Sequence, residues 1–217
     1  MSLPLVLIGC GSVFDAIATD AVGYGIAPDG ERRAAASVAA LAVSVPALLE
    51  GLDPALHRIF LAVDQNALNY ARLELYGAAR LRGFRPASLV HARAWVAPDA
   101  RVDDNVWVGP GVLVAGQARL GSDVLVSPGA RIDAGAHIEA HGWIGAGASV
   151  GAGTRVGSHS VIGADVHLRA GLQIGRHCVL DRPGAWEATA ANGVFSAPQF
   201  SAPARIIGAG YSHQKRS

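Results

Sequence analysis

From Val90 to Leu180 an aliphatic residue returns at every sixth position without a failure, running through Val90, Val96, Val102, Val108 and Val114 to Ile162, Leu168, Ile174 and Leu180. Two residues before each of these stands a small or aliphatic one, such as Ala94, Ala100, Val106, Val112 and Ala118. Residues two apart on a strand face the same side, so each hexad predicts a short strand that points one small and one branched side chain inward. Three residues after each aliphatic come Asn105, Gly111, Asp123, Gly129, Gly135, His141, Gly147, Gly153, His159, Asp165, Gly171 and His177. These types tolerate positive φ and mark the corner where the chain turns. A turn in every six residues describes a parallel β-helix, in which no coil buries its own core and stacking buries all of them. A helix through this region would lose about 1 kcal/mol at each glycine relative to alanine.

Composition narrows the function. Of 217 residues 51% are hydrophobic and 16% charged, which excludes a disordered chain. The formal net charge of +1 carries no field suited to nucleic acid. Lys215 is the only lysine, so the folded body holds neither a Schiff-base nor a phosphate-loop lysine. Cys10 and Cys178 are the only cysteines, too few and too distant for a disulfide framework or a thiolate zinc site. The most apolar stretch, Ala34 to Leu49, is interrupted by Ser37, Ser44 and Pro46 and is shorter than a membrane span. Met1 to Cys10 lacks the basic start and length of a signal peptide. The expectation is a cytoplasmic protein with no membrane partner.

The first half has a different period. Pro4 to Gly9 is a short apolar run that enters Gly9-Cys10-Gly11-Ser12, and a helical stretch follows from Val13 to Val22. A strand is expected at Gly23 to Ala27, then a segment containing Pro46-Ala-Leu-Leu, then the apolar run Ile59 to Val63. Ala67 to Gly83, with Tyr70, Leu73, Leu75, Tyr76 and Leu81, reads as an amphipathic helix capped by Asn66. Strands alternating with helices predict a small open α/β sheet, and the boundary with the hexads falls near Arg85 to His91.

Four stretches make the chain resemble the left-handed β-helix sugar acyltransferases, a group that includes bacterial sialic acid O-acetyltransferases and nucleotide-linked amino-sugar N-acetyltransferases. They are Val6-Leu-Ile-Gly-Cys-Gly, Ala62-Val-Asp-Gln-Asn, Ser88-Leu-Val-His-Ala-Arg-Ala and the hexads themselves. The resemblance implies a Rossmann-like acceptor-binding domain over 1–85, a left-handed β-helix over 86–183 and a capping tail over 184–217. It also implies a homotrimer with acetyl-CoA along the groove between neighbouring β-helices and a sugar or nucleotide-sugar acceptor. A histidine near the middle of the β-helix then serves as general base, a role worth about 10²–10⁴-fold in rate, and a backbone N–H meets the oxyanion.

Ala134 and Gly135 stand where the family's first histidines belong, and neither carries a proton. A second family histidine matches His141, which becomes the catalytic candidate, with Glu139 as its orienting carboxylate. The resemblance places the thioester and pantetheine beside Ala152, Gly163 and Ala164, and CoA phosphates among the late-coil arginines Arg155, Arg169, Arg176 and Arg182. Family members often read Gly-x-Gly-Gly-His-Gly after the first strand; here Gly9 and Gly11 remain while Val13 and Phe14 replace His-Gly. A helix N-terminus behind a glycine turn offers N–H groups to a phosphate, so Gly9 and Gly11 are substrate-binding candidates, with Asp29 as a partner for a ribose or base edge.

His141, His159 and His177 recur at three-hexad spacing and stack along one corner, extended by Asp123 and Asn105. Two readings stay open: a proton relay or metal site in the subunit groove, or residues chosen because Asn, Asp and His accept the left-handed turn. Two alternatives to the acyltransferase stay open as well. One is a degenerate homologue that keeps the trimer and loses the chemistry, favoured by Ala134. The other is a carbonic-anhydrase-like hydratase, whose shared three-histidine zinc set His137 and His141 match poorly, so no metal ligands are assigned. Beyond Pro183 the hexads end, and a segment with Trp186, Phe195, Phe200 and Tyr211 is expected to cover the open end of the coil.

Overall fold

The structure is a computed structural model and describes residues 3–65 and 67–205. The apolar run at the start forms strand β1 (Leu5–Cys10), buried over nearly its whole length. Helix α1 (Ser12–Thr19), strand β2 (Arg32–Ala34), helix α2 (Val38–Leu48), strand β3 (Arg58–Val63) and helix α3 (Tyr70–Leu81) follow. The strands form a parallel sheet in the order β2-β1-β3, with the helices packed on it as alternating units require.

The structure departs from the sequence expectation at two places. Gly23–Ala27 is not a strand: Ala21–Tyr24 is a 3₁₀ turn closed by Gly25 at φ 68, held where Tyr24 Oη accepts from Trp107 Nε1 at 2.9 Å. The second strand is instead Arg32–Ala34, a short edge strand whose two arginines hide it from a hydrophobic pattern. The segment containing Pro46 is the end of α2, which begins where Ser37 Oγ accepts from the Ala40 N–H. Helix α3 starts later than expected and turns a different face inward. Arg72, Leu75 and Ala79 are buried, whereas Leu81 is 91% and Tyr70 44% exposed. Asn66, the expected cap, lies outside the described residues.

The hexads form three parallel sheets of six, five and five strands, and the segments after Leu180 extend the first two to eight and six. Each two-residue strand pairs with those one coil before and after, as Leu125 does with Trp107 and Trp143. The sixth-position aliphatics and their small partners make one continuous core from Val106 to Ala190. Val90, at the open first end, is the departure, 41% exposed. All twelve expected corner residues have positive φ, as does Gln117. The result is the left-handed parallel β-helix that the resemblance implies.

After Leu180 the coil continues without hexads. Gly184–Trp186 and Val194–Ser196 each add a parallel rung, and Ala204–Arg205 pairs antiparallel with the latter. Trp186 and Val194 pack on the end of the core. Tyr211 and Lys215 lie outside the described residues. The α/β unit sits on the outer face of the eight-stranded sheet, where Leu7, Phe14, Ile17 and Phe60 bury Trp107 and Leu125. This contact determines which corner of the β-helix meets the connection between β3 and α3.

Candidate active site

That corner carries the column Asn105, Asp123, His141, His159 and His177. Asn105 is locked to β3: its Oδ1 accepts from the Leu61 N–H at 2.8 Å, and its Nδ2 donates to Leu61 O at 3.1 Å. The same Nδ2 donates to Asp123 Oδ1 at 2.7 Å. Asp123 is fully buried, and its Oδ2 accepts from Arg72 Nε and pairs with His141 Nδ1, both at 2.8 Å. Arg72 is fully buried too and reaches Asp123 O at 3.0 Å and Val63 O and Gly142 O at 3.3 Å. A buried carboxylate needs such partners to remain charged.

His141 is therefore held by its Nδ1, which leaves Nε2 without a hydrogen-bond partner among the described residues. Its side chain is 12% exposed, packed by the edge of Tyr76 and the face of His159 at centroid distances of 5.6 and 4.7 Å. The orienting carboxylate differs from the expectation. Glu139 Oε2 accepts from the Ser158 N–H at 3.0 Å, and Asp123, one coil earlier, holds the ring. Ala134 lies exposed on another corner, its carbonyl accepting from the Gly153 N–H.

The rest of the column is a stack and not a relay. His159 and His177 lie face to face with centroids 5.3 Å apart, and Tyr70 stacks on His159 at 4.8 Å. Each ring bonds elsewhere: His159 Nδ1 to Leu68 O at 3.1 Å, and His177 Nε2 to Tyr70 Oη at 3.1 Å. Stacked imidazoles offer no N–H···N path. Among the described residues no group of three or more His, Cys, Asp or Glu side chains is placed to hold a metal ion. The left-handed corner explains why these types occur, and the stack pins the connection before α3. Cys10 and Cys178 are free and buried, and burial pushes both thiols up, away from thiolate chemistry.

The stack has a pH signature. Burial holds the pKa of His159 below the ordinary value, with the neighbouring His141 and His177 adding to this and Leu68 O and Asp123 opposing it. Burial and Arg176 lower His177. The unfolded chain then binds these protons more readily than the folded one. Stability is expected to fall as pH drops below the ordinary histidine value of 6.5 and to level off once the folded rings also protonate. Urea unfolding midpoints between pH 7 and pH 5.5 measure this, and His159→Asn, which suits positive φ and can donate to Leu68 O, should flatten the slope. An unchanged slope in that variant would remove His159 from the account.

On the other side of the same connection lies a cleft of about 410 Å³. Its walls are the start of α1 at Ser12 and Val13, Gln65 after β3, the outward rings Trp107 and Trp143, and the corner at Gly163, Ala164 and Asp181. Two predicted cofactor-binding residues, Gly163 and Ala164, thus share a cleft with the start of α1, which follows Gly11. His141 does not line this cleft, although Trp143, two residues on, does. Ala152 and Arg182 are exposed and outside its walls, and Arg182 Nη2 donates to Phe200 O. Asp29, exposed in the turn before β2, lies at the opposite end of the strands from Gly11, with the length of β1 between them. One ligand group in the cleft cannot touch both.

The glycines have structural reasons. A Cβ on Gly9 would stand 1.7 Å from Ala62 O, so Gly9 permits the close approach of β1 and β3. Gly11, at φ 93, wraps the Asp64 carboxylate, which a Cβ would meet at 2.5 Å. Asp64 in turn takes the Ser12 N–H at 2.7 Å, the Val13 N–H at 2.8 Å and the Ser12 hydroxyl at 3.0 Å. The phosphate site expected at the glycine turn is occupied by the chain's own anion. Sequence reading missed Asp64, Arg72, Trp143 and Asp181 as site residues. Asp64 was visible only within the Ala62-Val-Asp-Gln-Asn stretch.

Comparison with known proteins agrees with this architecture. The family model of the GMPPB C-terminal domain matches residues 84–185. No curated protein sequence matches the chain. Among solved structures, the acetyltransferase domain of PglB from Neisseria gonorrhoeae is similar with a TM-score of 0.78 at 20% identity, over 94% of this chain and 100% of that one. A mutant of the GDP-perosamine N-acetyl transferase from Caulobacter crescentus, in complex with CoA and GDP-perosamine, has a TM-score of 0.74 at 22% identity, over 89% of this chain and 93% of that one. PerB from the same organism, also with CoA and GDP-perosamine, has a TM-score of 0.70 over the same shares. At these identities the likeness shows a shared fold, and it spans both the α/β unit and the β-helix.

Proposed function

We propose that this chain transfers an acetyl group from acetyl-CoA to an amine or hydroxyl of a sugar or nucleotide-linked sugar. The observation that carries the reading is the Asp123–His141 pair: a buried carboxylate fixes Nδ1 at 2.8 Å and leaves Nε2 free to take a proton. Proteins that share both parts of the fold were crystallised with CoA and GDP-perosamine, which supports the same donor and acceptor class here.

In this reading the acceptor N–H or O–H attacks the thioester carbonyl and His141 Nε2 takes its proton. The tetrahedral intermediate collapses, the C–S bond breaks, and the CoA thiolate leaves and receives a proton from His141. Asp123 holds the ring in one orientation and stabilises its charged form. Gly163 and Ala164, small residues on the cleft corner, leave room for pantetheine. The protein acts as a cytoplasmic homotrimer, with Ala152 and Arg182 on the exposed surface toward the groove between copies, and the α/β unit places the acceptor. No helix among the described residues is long and apolar enough to cross a membrane.

Release of free CoA thiol from acetyl-CoA, assayed against a panel of amino and hydroxy sugars with and without a nucleotide, tests the proposal. Acceptor-dependent thiol release supports it. Ala134, an alanine where the family carries its base, favours one second reading, a homologue that binds and no longer turns over. Binding of CoA with no release across the panel would select that reading.

A further inference from the structure

The cleft has an unusual charge for a pocket expected to receive a nucleotide-linked ligand. No Arg, Lys or His is among the described residues that line it. One carboxylate, Asp181, stands on its wall with no ion pair or side-chain hydrogen bond among the described residues, close over Gly163. A second, Asp64, lies directly behind the Ser12 and Val13 wall. The first N–H groups of α1 would form the one anion-attracting feature of such a pocket, and Asp64 has consumed them. Trp107 is committed to the interior by its bond to Tyr24, whereas Trp143 is only half-buried and presents ring surface to the cleft. A flat aromatic wall beside an unpaired carboxylate suits a ring that carries a hydroxyl or a cationic amine. It repels phosphate.

We infer that Asp64 is a specificity determinant: it fills the anion site at the start of α1, so that the cleft admits the unphosphorylated, amine-bearing ring of an acceptor and excludes a phosphate or diphosphate. Asp181, exposed at the rim, is the partner for an ammonium group on that ring, apart from the amine or hydroxyl whose proton His141 takes. The inference rests on the acetyl-transfer reading for the word acceptor, and its physical content concerns only which charge the cleft accepts. A nucleotide-linked acceptor must then carry its diphosphate outside this cleft.

The test uses the full chain and two probes, inorganic pyrophosphate and glucosamine, titrated by calorimetry into the native protein and into Asp64→Asn and Asp181→Asn. Asparagine at position 64 keeps one oxygen to accept from the N–H of Ser12 or of Val13, so the charge is lost for one turn hydrogen bond, and an unchanged far-UV spectrum checks that α1 is retained. Asp64→Asn is expected to bind pyrophosphate about tenfold or more tightly than the native protein does. Asp181→Asn is expected to lose about tenfold for glucosamine and to leave the far-UV spectrum unchanged. Equal pyrophosphate binding by the native protein and Asp64→Asn overturns the inference. So does an absence of binding in both, since removing Asp64 would then not open the site. Acetyl-CoA titrated into the same samples separates the two accounts: a protein that ignores acetyl-CoA but shows the pyrophosphate gain retains the charge selection and loses the transfer reading.

Discussion

Arg72→Met is expected to lose about 3–5 kcal/mol of unfolding free energy, the usual cost of removing one partner from a buried ion pair. From α3, the guanidinium makes four contacts to groups of β3 and of two coils of the β-helix. Methionine fills comparable space and satisfies none of them. Asp123 would remain buried with only Asn105 and His141 as partners, and the carbonyls of Val63 and Gly142 would each lose a donor. A native domain holds only about 5–15 kcal/mol in total, so the variant should unfold at markedly lower urea or temperature. Arg72→Lys should recover little, because an ammonium cannot reproduce the guanidinium fork. Adding Asp123→Asn to Arg72→Met should return part of the loss, since the stranded charge goes with it. A cost below about 1 kcal/mol for Arg72→Met, typical of an exposed pair, would contradict this account of how the two units are joined.

His141→Asn is expected to reduce acetyl transfer by about 10²–10⁴-fold while CoA binding and the unfolding midpoint change little. Asparagine tolerates the φ of 61 at this corner, and its side-chain amide can donate to Asp123. It has no group that takes a proton from an acceptor. The informative readout is a loss in kcat with the KM for acetyl-CoA and the unfolding midpoint retained, which a purely structural histidine would not produce. Undiminished turnover would remove His141 from the mechanism.

The β-helix was legible from its sequence because its period is local. Every coil repeats the same inward pair and the same corner, so one hexad predicts the next, and the positive φ of Asn105, Asp123, His141, His159 and His177 followed from residue type alone. The α/β unit was less legible where local preference and tertiary role part. Arg32 and Arg33 disguise an edge strand. Arg72 occupies a helical slot beside Leu75 and Ala79 that an apolar pattern assigns to a hydrophobe. Its partner Asp123 is 51 residues away, beyond any motif. The site divides in the same way. His141 entered as a candidate through resemblance, and Asp123 as part of the column, but the choice between Asp123 and Glu139 as the carboxylate on His141 depends on one coil stacking over another. Asp64 was hidden because a glycine turn before a helix looks open in sequence, and only the packing of β3 against β1 brings a carboxylate into it.

Calorimetric titration of the purified full chain with acetyl-CoA, with size-exclusion mass analysis of the same sample, tests the central claim most directly. Micromolar binding, at one site per chain in a trimer, is the predicted result. A well-folded protein that takes up no acetyl-CoA would contradict the acetyltransferase reading.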